Sequence, residues 1–162
     1  MEEAGEAVTP GGAAGMAADY RRAYVAAWRL VPGALELLDA LHPHAPIGVI
    51  SNNVVGEQIE KIRACGLAPF LDTVVISEEA GVAKPHPRIF EIALARLGSS
   101  ADETVMVGDA WAADIAGARS AGMRAVWFNR FGAVAPETWD VAELASFAPA
   151  ADAAQVILGD GF

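Results

Sequence analysis

The chain is poor in the residues that build metal clusters, disulfide frameworks and nucleic-acid surfaces. It has 162 residues but one cysteine and three histidines. One cysteine excludes an internal disulfide, and the histidines lack metal-ligand spacing. Cys65 closes an apolar helical stretch and reads as a small buried residue. Basic residues number 11 against 21 acidic ones, giving a formal net charge of −10. That charge repels a phosphate backbone, and no Lys/Arg stripe offsets it, so nucleic acid is excluded as a partner. No apolar run approaches the roughly 20 residues that span a bilayer, so no membrane partner is expected. Glu2, Glu3 and Glu6 open the chain without a basic region, unlike a secretory signal. With a lone cysteine, the expected setting is a reducing cytoplasm.

Hydrophobic residues make up 54% of the chain and mean hydropathy is +0.32, which indicates a globular domain with a proper core. Alanine and glycine supply much of that fraction and favour close packing of helices on a sheet. Residues 1–16 are small, Gly-rich and aperiodic, and read as a flexible tail. Helical spacing begins at Ala17, where Tyr20, Tyr24 and Trp28 form a stripe read as a packing face. Pro32 suits the first turn of a second helix, whose apolar side carries Leu35, Leu38 and Leu41. Short apolar runs at 47–50, 74–76, 105–107 and 125–128 suit buried parallel strands. Helices with apolar faces lie between them, marked by Val55, Ile59 and Ile62, then by Phe90, Leu94 and Leu97. Gly98 and Gly122 stand where helices end. This alternation predicts an α/β layer fold with a parallel sheet. Residues 139–147 read as a short helix, and 154–158 as a last strand or helix.

Three polar clusters follow strands or their loops, at the sheet edge where open parallel sheets bind ligands. Ser51 and Asn52 end the run VISNN, and a hydroxyl and an amide there can hydrogen-bond phosphoryl oxygens. Either could instead cap the following helix. Lys84, held between Gly81 and the Pro85-His86-Pro87 turn, can offset phosphoryl charge or serve as an ordinary solvated lysine. Pro87 suits a helix start. Asp109 and Asp114 form a GDxxxxD spacing after the strand at 105–107. Asp109 can ligate a hard cation such as Mg2+, with Asp114 orienting it or a bound water. Their structural alternatives are a helix cap and a first-turn acid.

Taken together, VISNN, GVAKPHPRIFEIALARLG and VGDAWAADIAGARSAGM resemble the second, third and fourth motifs of the haloacid dehalogenase superfamily. The resemblance extends over about residues 17–147. It implies a HAD-like, Rossmann-like fold, with residues 17–31 as the end of a helical cap, 32–147 as the core and 148–162 as a C-terminal tail. It also implies a Mg2+-dependent phosphatase acting on a small phosphorylated metabolite, with Lys84 catalytic, Ser51, Asn52 and Lys84 at the phosphate, and Asp109 and Asp114 at the metal.

The family's first motif, an Asp-x-Asp pair closing a hydrophobic strand, has no counterpart here. By resemblance its first aspartate attacks phosphorus and also binds Mg2+ beside the residue matching Asp109; the second works as acid and base. Asp19 and Asp39 lie in helical context, and Asp72 opens a strand. In the final QVILGDGF, Leu158 would take the nucleophile position, so a circular permutation is not supported. The family's first strand is central, between those carrying the second and fourth motifs. Its loss would expose backbone groups in mid-sheet, unless the neighbouring strands close up, residues 154–158 insert, or another chain supplies a strand. The expectation is a truncated HAD-family hydrolase, inactive alone, with a strand-exchanged homo-oligomer among its expected states. The alternatives are a non-catalytic HAD-like binding protein and, less favoured because GDxxxxD is intact, a 2-haloacid dehalogenase.

Overall fold

A computed structural model describes residues 10–159. Its elements run α1 (Pro10–Ala26), α2 (Ala34–Leu41), β1 (Gly48–Ser51), α3 (Val55–Ala64), a 3-10 turn (Ala68–Phe70), β2 (Thr73–Ile76), α4 (Ser77–Ala80) and α5 (Pro87–Leu97). After these come β3 (Val105–Gly108), a π-helical turn (Trp111–Ala116), α6 (Gly117–Ser120), β4 (Arg124–Phe128), β5 (Ala142–Leu144) and α7 (Ala150–Leu158). The α/β class and parallel pairing follow the apolar runs. Each run is too short for a helix that could bury all its faces, and its flanking turns release the chain into a crossover helix.

The strands form two sheets. β1 pairs in parallel with β2, Gly48 opposite Thr73 and Ser51 opposite Ile76. β3, β4 and β5 pair in parallel in that order, with Val105 opposite Arg124 and Val126 opposite Ala142. Among the described residues no strand lies between β1 and β3. The two strands have not closed up on one another. A cavity of ≈ 470 Å³ lies between them, lined by apolar side chains including Leu37, Val49, Met106, Val107 and Ile157.

α5 holds the two sheets together. Ile89, Phe90 and Ala93 bury themselves with Val75 of β2, Ala118 of α6 and Met123, while Ile50 of β1 and Met106 of β3 pack at the margin. Gly117 makes this contact close, because a Cβ there would lie 2.8 Å from the Phe90 ring. On one face of the three-stranded sheet, Val126, Phe128 and Leu144 pack against Leu37 of α2 and Ala153, Ala154 and Ile157 of α7. Ile115, Ala125 and Trp127 form a smaller cluster on the π-helical turn.

Several expectations need correction. Residues 1–9 of the expected flexible tail lie outside the described residues, but Pro10–Met16 belong to α1. An alanine-rich run behind a proline at the first helical position favours that helix. The Tyr20, Tyr24 and Trp28 stripe is no buried face: Tyr20 stacks on Tyr24 at 6.2 Å and is 73% exposed. It runs alongside α3, where the Tyr24 hydroxyl donates to Glu57 and Lys61 lies over Trp28. Cys65 is only half-buried. Residues 142–144 form a strand within the segment expected as a helix, because β4 offers a free edge and Leu144 a place in the core. Residues 150–158 form a helix, one of the two readings given for 154–158, and it packs into the core instead of trailing as a tail. No helix among the described residues is long and apolar enough to cross a membrane.

If α7 belongs to the core, Ile157→Ala should cost about 2–5 kcal/mol, measured by urea unfolding. A loss under about 0.5 kcal/mol, as for surface substitutions, would return the segment to the status of a tail.

Candidate active site

The site forms where β1 and β3 end. Lys84 reaches it from the loop after α4, and its Nζ donates to the Ile50 carbonyl at 2.7 Å. The same ammonium pairs with Asp114 Oδ1 at 2.7 Å, with side-chain exposures of 11% and 7%. Ile50 lies in the first sheet and Asp114 follows the second, so one lysine bridges the gap between them. The backbone amide of Ala110 donates to the other Asp114 oxygen at 3.0 Å. A buried charge is tolerated only with such pairing.

Gly108 permits this arrangement. A Cβ there would stand 2.4 Å from the Asp114 Cβ and 2.5 Å from its Oδ2. The glycine of GDxxxxD therefore leaves room for Asp114 to lie across the end of β3. The π-helical turn carries Asp114 at that place, and such turns are frequent at functional sites.

Asn52, one of the residues expected at the phosphate, holds the lysine loop. Its side-chain oxygen accepts the Lys84 backbone N–H at 2.8 Å, and its amide donates to the Lys84 carbonyl at 2.9 Å. The first turn of α3 is satisfied from elsewhere: Asn53 accepts from Val54, and Glu78 of α4 accepts from Val55 at 2.7 Å. Asn53 also donates to Glu57, which, with the Tyr24 hydroxyl, holds that carboxyl below its usual value. Neither Ser51 nor Asn52 caps α3. Asp109 caps nothing either, since the turn after it starts at Ala110 without a side-chain cap.

Two side chains are thus left without a structural duty. No described residue hydrogen-bonds the Ser51 hydroxyl or the Asp109 carboxylate. Asp109 is exposed, and its carbonyl accepts from Trp127 Nε1 at 3.1 Å. Trp111 meets Trp127 edge-on at 4.9 Å and stacks on Trp139 at 5.8 Å, forming an aromatic wall beside Asp109. The roles of Glu78 and this wall were not read from the sequence, since their partners lie far along the chain. The one available signal was the concentration of tryptophans around the GDxxxxD segment.

The donor chemistry fits Mg2+ in kind. Such a cation takes one or two carboxylates and completes its shell with water and substrate phosphate. Asp109 offers a free carboxylate, whereas both Asp114 oxygens are engaged. No group of three or more His, Cys, Asp or Glu able to hold a metal occurs among the described residues.

A family model for the haloacid dehalogenase-like hydrolases matches residues 1–122. The chain belongs to that family. It is 40% identical over 119 residues to the pyrimidine 5'-nucleotidase YjjG of Escherichia coli, covering 70% of this chain and 53% of that protein. It is 40% identical over 121 residues to a ribulose-1,5-bisphosphate 5-phosphatase of Halopiger xanaduensis, covering 74% and 51%. The magnesium-bound crystal structure of the putative HAD-hydrolase YfnB from Bacillus subtilis matches with a TM-score of 0.73 at 27% identity, covering 84% of this chain and 60% of that one. The chain spans about half the length of these curated relatives. Within this HAD-like chain, the structure brings Lys84 and Asp114 together at the mouth of the inter-sheet cavity, which Asp109 also lines. Ser51 stands at the end of β1, and Asn52 is tied to the lysine loop.

Removing one partner of the buried pair should be worse than removing both. Asp114→Ala is expected to cost about 3–5 kcal/mol, and Lys84→Met with Asp114→Leu distinctly less. Equal losses in chemical denaturation would contradict a buried, mutually dependent pair. Gly108→Ala should cost roughly 1–3 kcal/mol through overpacking against Asp114; a neutral result would mean that Asp114 does not lie against Gly108.

Proposed function

We propose that these residues form the phosphate- and cation-facing half of a magnesium-dependent phosphatase acting on a small phosphorylated metabolite in the cytoplasm. The observation that carries this reading is the freedom of Ser51 and Asp109. Both stand at strand ends beside a buried lysine, and the helix-end duties that would otherwise explain them are met by other groups. The phosphatase names of the curated relatives support the same reading, as does the intact GDxxxxD.

Ser51 would donate its hydroxyl to a phosphoryl oxygen. Lys84 would offset the negative charge beside it, its position held by Asn52 through the backbone and by Asp114 through the ammonium. Asp109 would hold the cation, with Asp114 keeping the lysine and the adjoining turn in register. Bound Mg2+ would supply charge stabilisation on the phosphoryl oxygens.

Chemistry also needs a nucleophile. The carboxylates lining the inter-sheet cavity are Asp109 and Asp114. Of the other candidates, Asp19 pairs with Arg22, Asp39 is exposed on α2, and Asp72 accepts from the Ile47 amide at 2.8 Å where the chain enters β1. We therefore propose that these 162 residues bind phosphate and cation without turnover. Hydrolysis of phosphate monoesters needs up to about 10^21-fold acceleration, which a binding cradle alone does not provide.

Inorganic phosphate and Mg2+ should each raise the melting temperature, by about 2–4 °C per kcal/mol of binding linkage. p-Nitrophenyl phosphate should remain intact. Asp109→Asn should abolish the magnesium response and Ser51→Ala should weaken the phosphate response. Magnesium-dependent turnover lost in Asp109→Asn would overturn the inactive reading, and absence of both ligand responses would overturn the site itself.

A further inference from the structure

We propose that Trp127 is a positioning residue for the cation-binding carboxylate. Together with Asp114 it clamps the peptide unit that joins Asp109 to Ala110, and so aims the Asp109 side chain. This inference rests on the reading of Asp109 as the cation ligand and names a residue which that reading does not use.

The Asp109 carboxylate has no hydrogen bond of its own among the described residues, and Asp109 is exposed. Its direction therefore depends on its backbone, and that backbone is held at both ends of one peptide unit. The Asp109 carbonyl accepts from Trp127 Nε1 at 3.1 Å, and the Ala110 N–H of the same unit donates to Asp114 Oδ2 at 3.0 Å. A peptide unit is planar. Fixing its C=O and its N–H fixes the whole plane and limits rotation about the bond that joins it to the Asp109 Cα. The two grips also agree in sign. An indole donor meets the negative end of the amide dipole and a carboxylate meets its positive end, so each bond polarises the amide in favour of the other.

Both grips come from groups with little freedom to move. Trp127 and Asp114 are each 5% exposed. Trp127 stands opposite Gly108 in the β3–β4 ladder, and the carbonyl it holds belongs to the next residue of the β3 chain. It packs with Ile115, the neighbour of Asp114, in the cluster on the π-helical turn. One patch of core thus sets both arms of the clamp.

The neighbouring indole makes the assignment specific. A buried tryptophan N–H usually finds a partner. Trp111 meets Trp127 edge-on at 4.9 Å, yet its own Nε1 is buried with no hydrogen-bond partner. The two rings share the packing, and of the two only Trp127 delivers a donor to Asp109.

The test compares three variants of the full chain with the wild type. Trp127→Phe removes the donor and keeps an aromatic ring. Trp127→benzothienylalanine keeps the indole outline and puts sulfur in place of the N–H. Trp111→Phe removes the unpartnered donor next to it. Mg2+ binding is followed by calorimetry, inorganic phosphate binding by the shift in melting temperature, and the Ala110 amide by hydrogen exchange in NMR. Loss of a group that orients a metal ligand typically weakens metal binding about 10–100-fold. Both Trp127 variants should raise the Mg2+ Kd by roughly that factor, speed Ala110 exchange and keep the phosphate response. Trp111→Phe should leave the Mg2+ Kd unchanged. An unchanged Kd or unchanged Ala110 exchange in Trp127→benzothienylalanine would overturn the inference. So would an equal loss in Trp111→Phe, which would assign the effect to ring packing. Failure of the cation reading looks different: the wild-type chain would bind no Mg2+ at all, and the positioning role would fall with it.

Discussion

The contact of Lys84 with Ile50 and Asp114 is the interaction on which the site depends. It joins a carbonyl at the end of one sheet to a carboxylate behind the end of the other, across a gap that no strand fills. Neither charge could remain there alone at this burial without a large desolvation penalty. The surrounding details follow from that need. Asn52 grips the lysine's backbone from both sides, Ala110 satisfies the second carboxylate oxygen, and Gly108 leaves space for the carboxylate to approach.

Around this bridge the hydrophobic core does the coarser holding. α5 spans β1 and β2 and meets α6, so the two sheets share one layer of buried side chains even though they share no hydrogen-bonded ladder. α2 and α7 cover the three-stranded sheet and extend over the slot. The slot is therefore walled on its faces and open along two backbone edges. Packing is shape-tolerant and holds the walls apart, whereas backbone pairing is directional and leaves the strand edges in need of partners.

The site was legible as a list of residues but not as a set of tasks. Ser51, Lys84, Asp109 and Asp114 stand out from the text because each follows a strand or its loop. A cap and a ligand use the same residue types at a helix start, so sequence alone left both roles open for Ser51, Asn52 and Asp109. Glu78 decided the matter for α3 from 23 residues away, and Ala110 with Asp114 decided it for the π-helical turn. The two polar ends of Asn52 match the donor and acceptor of one lysine backbone, a match between residues 32 apart that the sequence does not display.

The sequence by itself determined the α/β class, four of the five strands and the resemblance to the family. Apolar runs, turn residues and local motifs are properties of neighbouring residues, and they survive without knowledge of the fold. Tertiary structure alone decided that 142–144 would be a strand, that 150–158 would be a core helix, and that β1 and β3 would stay apart. Those outcomes turn on which edge or face is left uncovered once everything else has packed, a condition that no local stretch of sequence contains.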